Sequence, residues 1–147
     1  MGVSLRGVNP LRPFICQRVT AMQENQSHSH SLWPLEVHLS KDKRVLTLTY
    51  EGGMKRELQA EYLRVESPSA EVRGHHPSER QTVAGKRLVT LQAIEPVGNY
   101  ALRLRFSDGH DTGLFAWDYL AELADHFAEK WQVYERALAE KGLSRDP

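Results

Sequence analysis

Two carboxylates and one imidazole lie close together in the run Asp108-Gly109-His110-Asp111. Oxygen and imidazole ligands bind hard and borderline divalent cations, and His75 offers a second imidazole. Asp108 and Gly109 are also the strongest short signal for a β-hairpin turn, and ligands tied to one tight turn do not converge easily on a metal. The hairpin is therefore the favoured interpretation. The alternative is a small metal-binding protein with the ligands His110, Asp108, Asp111 and His75.

The sequence contains no arrangement typical of a catalytic site. No serine lies in a Gly-x-Ser-x-Gly elbow, and the single cysteine, Cys16, lies in an irregular N-terminal segment. Gly52 and Gly53 separate two predicted strands, whereas a phosphate-binding glycine loop precedes a helix. We therefore expect a non-enzymatic protein and predict no cofactor, with a bound metal as the alternative.

Charge and cysteine content exclude several classes of partner. Lys and Arg total 19, as do Asp and Glu, so the formal net charge is zero. A protein that binds nucleic acid through its phosphates uses a surplus of basic residues, which this chain lacks. One cysteine cannot form an internal disulfide, and no apolar run approaches the roughly 20 residues of a membrane span. The composition predicts a cytoplasmic protein that binds neither nucleic acid nor a membrane, and we expect its partner to be another protein.

The N-terminal segment differs in character from the rest of the chain. Residues 1–21 contain three arginines and no acid, and the polar segment that follows shows no periodicity. An arginine-rich, acid-poor N-terminus is also typical of an organelle transit peptide, which is the alternative interpretation. We expect residues 1–33 to be a disordered or artefactual extension, residues 34–122 to form the domain, and residues 123–147 to continue its last helix and form a tail.

Alternation of apolar and polar residues predicts six strands beyond this extension. Period two indicates a half-buried strand, because successive side chains point to opposite faces. The clearest case is the strand in which Leu102 and Leu104 alternate with Arg103 and Arg105. Glycine-containing turns join antiparallel neighbours. The predicted strands lie at 35–39, 45–50, 54–58, 88–97, 100–106 and 112–115, and a helical turn lies at 60–65.

Spacings of three and four among apolar residues predict one long helix from about Trp117 to Lys141. About 25 residues at 1.5 Å each give roughly 37 Å, which is longer than a small sheet can cover. We therefore predict that Trp131 and Tyr134 contact a partner, either another protein or a second copy of the chain. A shorter helix is predicted to begin at Ser67, whose side chain would cap it. The elements predict an α+β fold, with a small, mainly antiparallel sheet, short helical turns and one long C-terminal helix.

Three segments of the chain form an ordered set of motifs. They are residues 62–75 (YLRVESPSAEVRGH), residues 94–101 (IEPVGNYA) and residues 108–114 (DGHDTGL), followed by Trp117 and Tyr119. Together they resemble the gamma-butyrobetaine hydroxylase N-terminal-like family, over about residues 34–122. In that family the domain occurs alone in bacteria, in front of Fe(II)- and 2-oxoglutarate-dependent oxygenases, and attached to carriers of iron–sulfur clusters. The resemblance implies a binding or accessory module that serves iron–sulfur or iron-dependent enzyme metabolism.

The resemblance also implies where a metal would bind. The hydroxylase version of the domain holds zinc with three cysteines and one histidine, and these positions correspond to Ser67, Ser69, about Val72, and His110. Serine hydroxyls and a valine do not supply the charge and softness of thiolates. We therefore expect no zinc centre of this type, and expect the strands and the last helix to stabilise the fold without a metal.

Overall fold

Alternating apolar residues in the first half of the chain build a four-stranded antiparallel sheet. The computed structural model describes residues 2–6, 33–69 and 80–147. Val37 lies opposite Leu48, and Leu39 lies opposite Leu46, so one face of the central strands carries buried apolar pairs. The strands, in their order across the sheet, are β1 (Val3–Arg6), β2 (Glu36–Leu39), β3 (Val45–Thr49) and β4 (Lys55–Gln59).

Strand β1 differs from the expectation that residues 1–33 form only a disordered or artefactual extension. It pairs with β2 in antiparallel register, with Val3 opposite Leu39. Its sequence, VSLR, alternates apolar and polar residues over four positions only, which is too short a pattern to recognise in the sequence alone. Residues 7–32 lie outside the described residues, so the expectation stays a prediction for them.

The second sheet is antiparallel as well, and its central strand has the predicted register. Leu102 and Leu104 are buried, whereas Arg103 and Arg105 are exposed. The predicted glycine turn is confirmed, because Gly109 has a φ of 87°. The fold is therefore α+β with antiparallel strands, as predicted, and the strands are divided between two sheets. The second sheet contains β5 (Leu91–Val97), β6 (Ala101–Phe106) and β7 (Leu114–Ala116), in that order.

The described α-helices are α1 (Ala60–Val65), α2 (Trp117–Asp125) and α3 (Phe127–Glu140), and a 3-10 turn at Glu51–Gly53 joins β3 to β4. The short helix predicted at 60–65 is confirmed. The long helix predicted from Trp117 to Lys141 is interrupted at His126, which has φ −109° and ψ 24°. The Tyr62 hydroxyl donates to the Leu123 carbonyl at 2.7 Å, so this carbonyl near the end of α2 has a partner outside the helix.

One main apolar core lies among these elements and positions the motifs. Trp117 fixes the start of α2 beside the second sheet, because its indole N–H donates to the Asn99 carbonyl at 2.8 Å. None of the described helices is both long and apolar enough to cross a membrane. The largest fully buried side chains of the core are Tyr62, Phe106, Phe115, Leu39, Leu46, Leu48, Leu58, Leu63, Leu91, Leu102, Leu104 and Leu120.

The register of β6 leads to a paired test of stability. Leu104→Ala should lower the free energy of unfolding by about 2–5 kcal/mol, because a buried leucine loses its transfer energy and leaves a cavity. Arg103→Ala, one position away on the exposed face, should cost less than about 0.5 kcal/mol. Urea melts of the two variants and the parent chain measure both values. A larger loss for Arg103→Ala than for Leu104→Ala would contradict the register.

Candidate functional site

The carboxylate of Asp108 forms ion pairs with two basic side chains. Arg64, near the end of α1, donates through Nε at 2.8 Å, and Lys86 approaches through Nζ at 2.6 Å. Burial acts to raise the pKa of Asp108, but the hydrogen bonds from Lys86 and Arg64 outweigh burial and lower this pKa from 3.8 to about 2. The carboxylate is therefore ionised and already neutralised by its neighbours.

His110 is buried beside Ser67, although the two residues are far apart in the chain. The residue is 7% exposed, and its Nε2 lies 2.8 Å from the Ser67 Oγ, a hydrogen-bond distance. The backbone N–H of His110 also donates to the Asp108 carboxylate at 3.2 Å. The Ser67 hydroxyl, which the sequence analysis assigned to a helix cap, thus joins the segment after α1 to the turn after β6. The rest of that predicted helix, from residue 70 onward, lies outside the described residues.

Gly113 permits the contact between Ser67 and His110 because it has no side chain. A Cβ added at Gly113 would overlap with the Ser67 Oγ and would lie 3.3 Å from Pro68 and from Phe115. Ser69 is also buried, at 4% exposed, and its Oγ has no hydrogen-bond partner in the part of the chain that the structure describes. The segment 67–69 is therefore packed closely against the loop that leads to β7.

The three predicted metal ligands that the structure describes do not form one site. Asp108 is bound by two basic side chains, His110 lies against Ser67, and Asp111 is half-buried in the loop before β7. His75 lies outside the described residues. Within residues 2–6, 33–69 and 80–147, no group of three His, Cys, Asp or Glu side chains converges so that it could hold a metal ion. The described residues therefore give the metal-binding alternative no support.

Trp131 and Tyr134, which the sequence analysis assigned to a partner surface, pack within this chain. Tyr134 is 4% exposed, and its hydroxyl donates to the Val83 carbonyl at 2.8 Å. Trp131 is half-buried, with its ring centroid 5.1 Å from that of Tyr134 and 6.1 Å from that of Tyr62. The prediction assumed that nothing in the chain covers the distal half of the last helix. Residues 83–84 pack against that part of the helix, so the assumption does not hold.

A groove of about 660 Å³ lies along α3, between the end of α1 and residues 80–82. Its apolar lining includes Val65, Tyr134 and Ala137. Val133 also lines the groove and is 62% exposed, the largest exposed fraction among the large apolar side chains of the described residues. No local pattern indicates this groove in the sequence, because its walls come from segments that are far apart in the chain.

Comparison of the chain with known protein families shows which family it belongs to. Residues 37–121 match the family described as "Gamma-butyrobetaine hydroxylase-like, N-terminal". The chain belongs to this family. The matched range contains Ser67, Asp108, His110 and Gly113, whereas all of α3 lies beyond it. Among curated proteins, none matches the chain.

Solved structures of similar proteins share this fold. One protein with a solution structure determined by NMR is 49% identical in sequence, with a TM-score of 0.67. The match covers 78% of this chain and 90% of that protein's chain. A second NMR structure is of a protein 39% identical in sequence, with a TM-score of 0.68. The match covers 83% of this chain and 91% of that protein's chain. A crystal structure of a protein with unknown function from Acidithiobacillus ferrooxidans is 38% identical with a TM-score of 0.55, and it covers 66% and 98%.

The zinc centre that the resemblance implies for hydroxylase members of this family does not fit the residues present here. A thiolate and an imidazole bound to one tetrahedral zinc lie about 3.5 Å apart, as follows from bond lengths of about 2.3 and 2.0 Å. Ser67 Oγ and His110 Nε2 lie 2.8 Å apart and contact each other directly. The hydroxyls of Ser67 and Ser69 also carry no charge to balance Zn²⁺. A hydrogen bond therefore joins the segments that a metal would join in those members.

Several residues of the site were missed in the sequence. Arg64 and Lys86, which neutralise Asp108, sit in unrelated segments and give no local signal. Gly113 does give a local signal in the sequence, because a glycine outside a predicted turn indicates that the backbone closely approaches another group. The pairing of Ser67 with His110 depends on contacts between residues 43 positions apart.

The donor chemistry leads to a prediction about metal content. The purified protein should contain no stoichiometric zinc, because neutral hydroxyls replace the thiolates. Its melting temperature should be the same with and without a chelator, since the folding free energy does not depend on a metal. Elemental analysis and a paired thermal melt measure the two quantities. A metal-to-protein ratio near one that falls in His110→Ala would contradict this prediction and restore the metal-binding alternative.

The close approach at Gly113 leads to a double-mutant test. Gly113→Ala should destabilise the fold by about 1–3 kcal/mol, because the added methyl displaces the Ser67 hydroxyl. Ser67→Ala removes that hydroxyl, so the double variant should be more stable than the sum of the two single losses predicts, by about 1 kcal/mol. The control pair is Gly113→Ala with Ser69→Ala, for which the losses should add. Urea melts give all five values, and additivity in the Ser67 pair would refute the contact.

Proposed function

We propose that this chain is a non-enzymatic module that binds another protein, and that the groove along α3 is its binding surface. The observation that carries the proposal is Val133, an apolar side chain that lines the groove and is 62% exposed. Valine is usually buried in a folded protein, and burial against a partner would remove its apolar surface from water. A segment of the partner with one apolar side chain directed at Val133 fits this surface.

The charges around the groove support an apolar contact at its centre. Arg80 pairs with Glu66 at 2.5 Å, and Lys130 pairs with Glu122 at 3.5 Å. These pairs satisfy much of the charge within the chain, so a partner gains little by supplying counter-charges to them. An apolar centre inside a polar rim is the usual composition of a protein interface.

The family suggests the class of partner. Its description names a hydroxylase and an N-terminal position, so related domains stand in front of a larger enzyme. We propose that this chain serves a cytoplasmic iron-dependent enzyme or iron–sulfur carrier by association. This part of the proposal rests on analogy with the family, because site residues and not folds determine function.

The test compares position 133 with an exposed apolar residue outside the groove. Leu88 is 57% exposed and does not line the groove, so Leu88→Asp is the matched control for Val133→Asp. A photo-crosslinking residue placed at position 133 or at position 88 of the full chain, in cells, identifies the neighbour of each position. With that neighbour purified, Val133→Asp should weaken binding at least about tenfold, or about 1.4 kcal/mol, because a carboxylate is placed in an apolar contact.

Leu88→Asp should leave the affinity within about twofold, as expected for a substitution outside the interface. Equal effects of the two substitutions would refute the groove as the binding surface. Crosslinks from position 133 that join only two copies of this chain would refute a different protein as the partner.

A further inference from the structure

The chain folds its residues 143–147 back onto the segment before β5. The N–H of Gly85 donates to the Ser144 carbonyl at 2.9 Å, and the N–H of Arg87 donates to the Arg145 carbonyl at 3.0 Å. The Arg87 guanidinium also pairs with the Asp146 carboxylate at 2.7 Å. We call residues 143–147 the closing segment. Backbone and side-chain contacts together hold it in place.

The side chain of Arg145 enters a site built from one acid and one aromatic ring. Its Nε and Nη2 donate to the two carboxylate oxygens of Glu61 at 2.8 and 2.7 Å, which is the bidentate geometry that a guanidinium favours. The guanidinium carbon lies 4.8 Å from the ring centroid of Trp131, within the range of a cation–π contact. Glu61 is buried, with its side chain 6% exposed, so its negative charge requires a cationic partner.

No apolar side chain of the closing segment is fully buried. Leu143 is 42% exposed, Arg145 is half-buried, and the other residues of the segment are exposed. The segment forms hydrogen bonds, ion pairs and a cation–π contact, which a competing segment of the same chemistry can reproduce. Gly142, with a φ of 63°, joins the segment to the end of α3.

We propose that Glu61, Trp131 and the backbone of residues 85–87 form a peptide-binding site, which the closing segment occupies in cis. From a partner protein, this site would bind an extended segment that contains an arginine followed by an acidic residue. The backbone N–H groups of Gly85 and Arg87 bind the main chain of that segment. Glu61 and Trp131 bind the arginine, and the Arg87 side chain binds the acid. Many peptide-recognition sites divide main-chain and side-chain contacts in this way.

This site is separate from the groove of the proposed function. None of Glu61, Trp131, Gly85, Arg87 and the closing segment lines that groove. Binding here is in competition with the chain itself, because a short tether keeps the closing segment at an effective concentration on the order of millimolar. Only a partner segment that is abundant, or held nearby by another contact, would displace it. The intramolecular contact therefore prevents weakly binding or scarce segments from occupying the site.

The test uses the full chain and a blocked peptide with the sequence of residues 142–147, GLSRDP. The receptor is the full-length double variant Arg145→Ala, Asp146→Ala, whose closing segment can no longer compete. It should bind the peptide at least about tenfold more tightly than the parent chain does, because the cis competitor is gone. The same peptide with alanine in place of arginine should not bind, and Glu61→Gln in the receptor should weaken binding of the original peptide at least about tenfold.

A second measurement uses the parent chain and does not depend on the folding of the variant. The peptide, added to the ¹⁵N-labelled parent chain at millimolar concentration, should move the amide signals of residues 144–146 towards those of a free chain. The alanine peptide should leave these signals in place. Signals unchanged up to about 10 mM of the original peptide, or equal effects of the two peptides, would overturn the proposal.

Discussion

Polar side chains of α1 bind three distant parts of the chain and fix their positions on the apolar core. A helix of six residues is not stable in isolation, so its position depends on tertiary contacts. Glu61 binds Arg145, Tyr62 donates to the Leu123 carbonyl, and Arg64 binds Asp108. Because a buried polar group without a partner is costly, each contact fixes the element that it reaches. The end of α2, the turn after β6 and the closing segment are all placed relative to this one short helix.

The same helix lies beside both of the surfaces that we propose for binding. Glu61 forms the acidic part of the peptide site, and Val65, one turn later, lines the groove along α3. Residues three and four apart lie on the same side of a helix, so the two surfaces are neighbours along α1. A partner that binds at one surface would therefore contact an element that also supports the other.

Local patterns account for the parts of the fold that the sequence predicts well. The alternation of Leu102 and Leu104 with two arginines is complete within one strand, so burial on one face follows from the sequence alone. The interruption at His126 was not predicted, because the spacing of apolar residues continues without a break through 117–141. At the candidate site the turn at 108–109 was predictable from its own residues. The pairing of Ser67 with His110 was not, because it joins segments whose approach only the assembled core determines.

The absence of a side chain at Gly113 means that positions 67 and 113 share one volume of space. A side chain at position 113 would require a smaller residue at position 67, since the two would otherwise occupy the same space. A cysteine at position 67 would bring the larger sulfur atom into the same volume. One thiolate alone would not balance the charge of a zinc ion, so further cysteines would be needed to bind it. A change of this domain to a form held together by a metal would therefore require several coordinated substitutions.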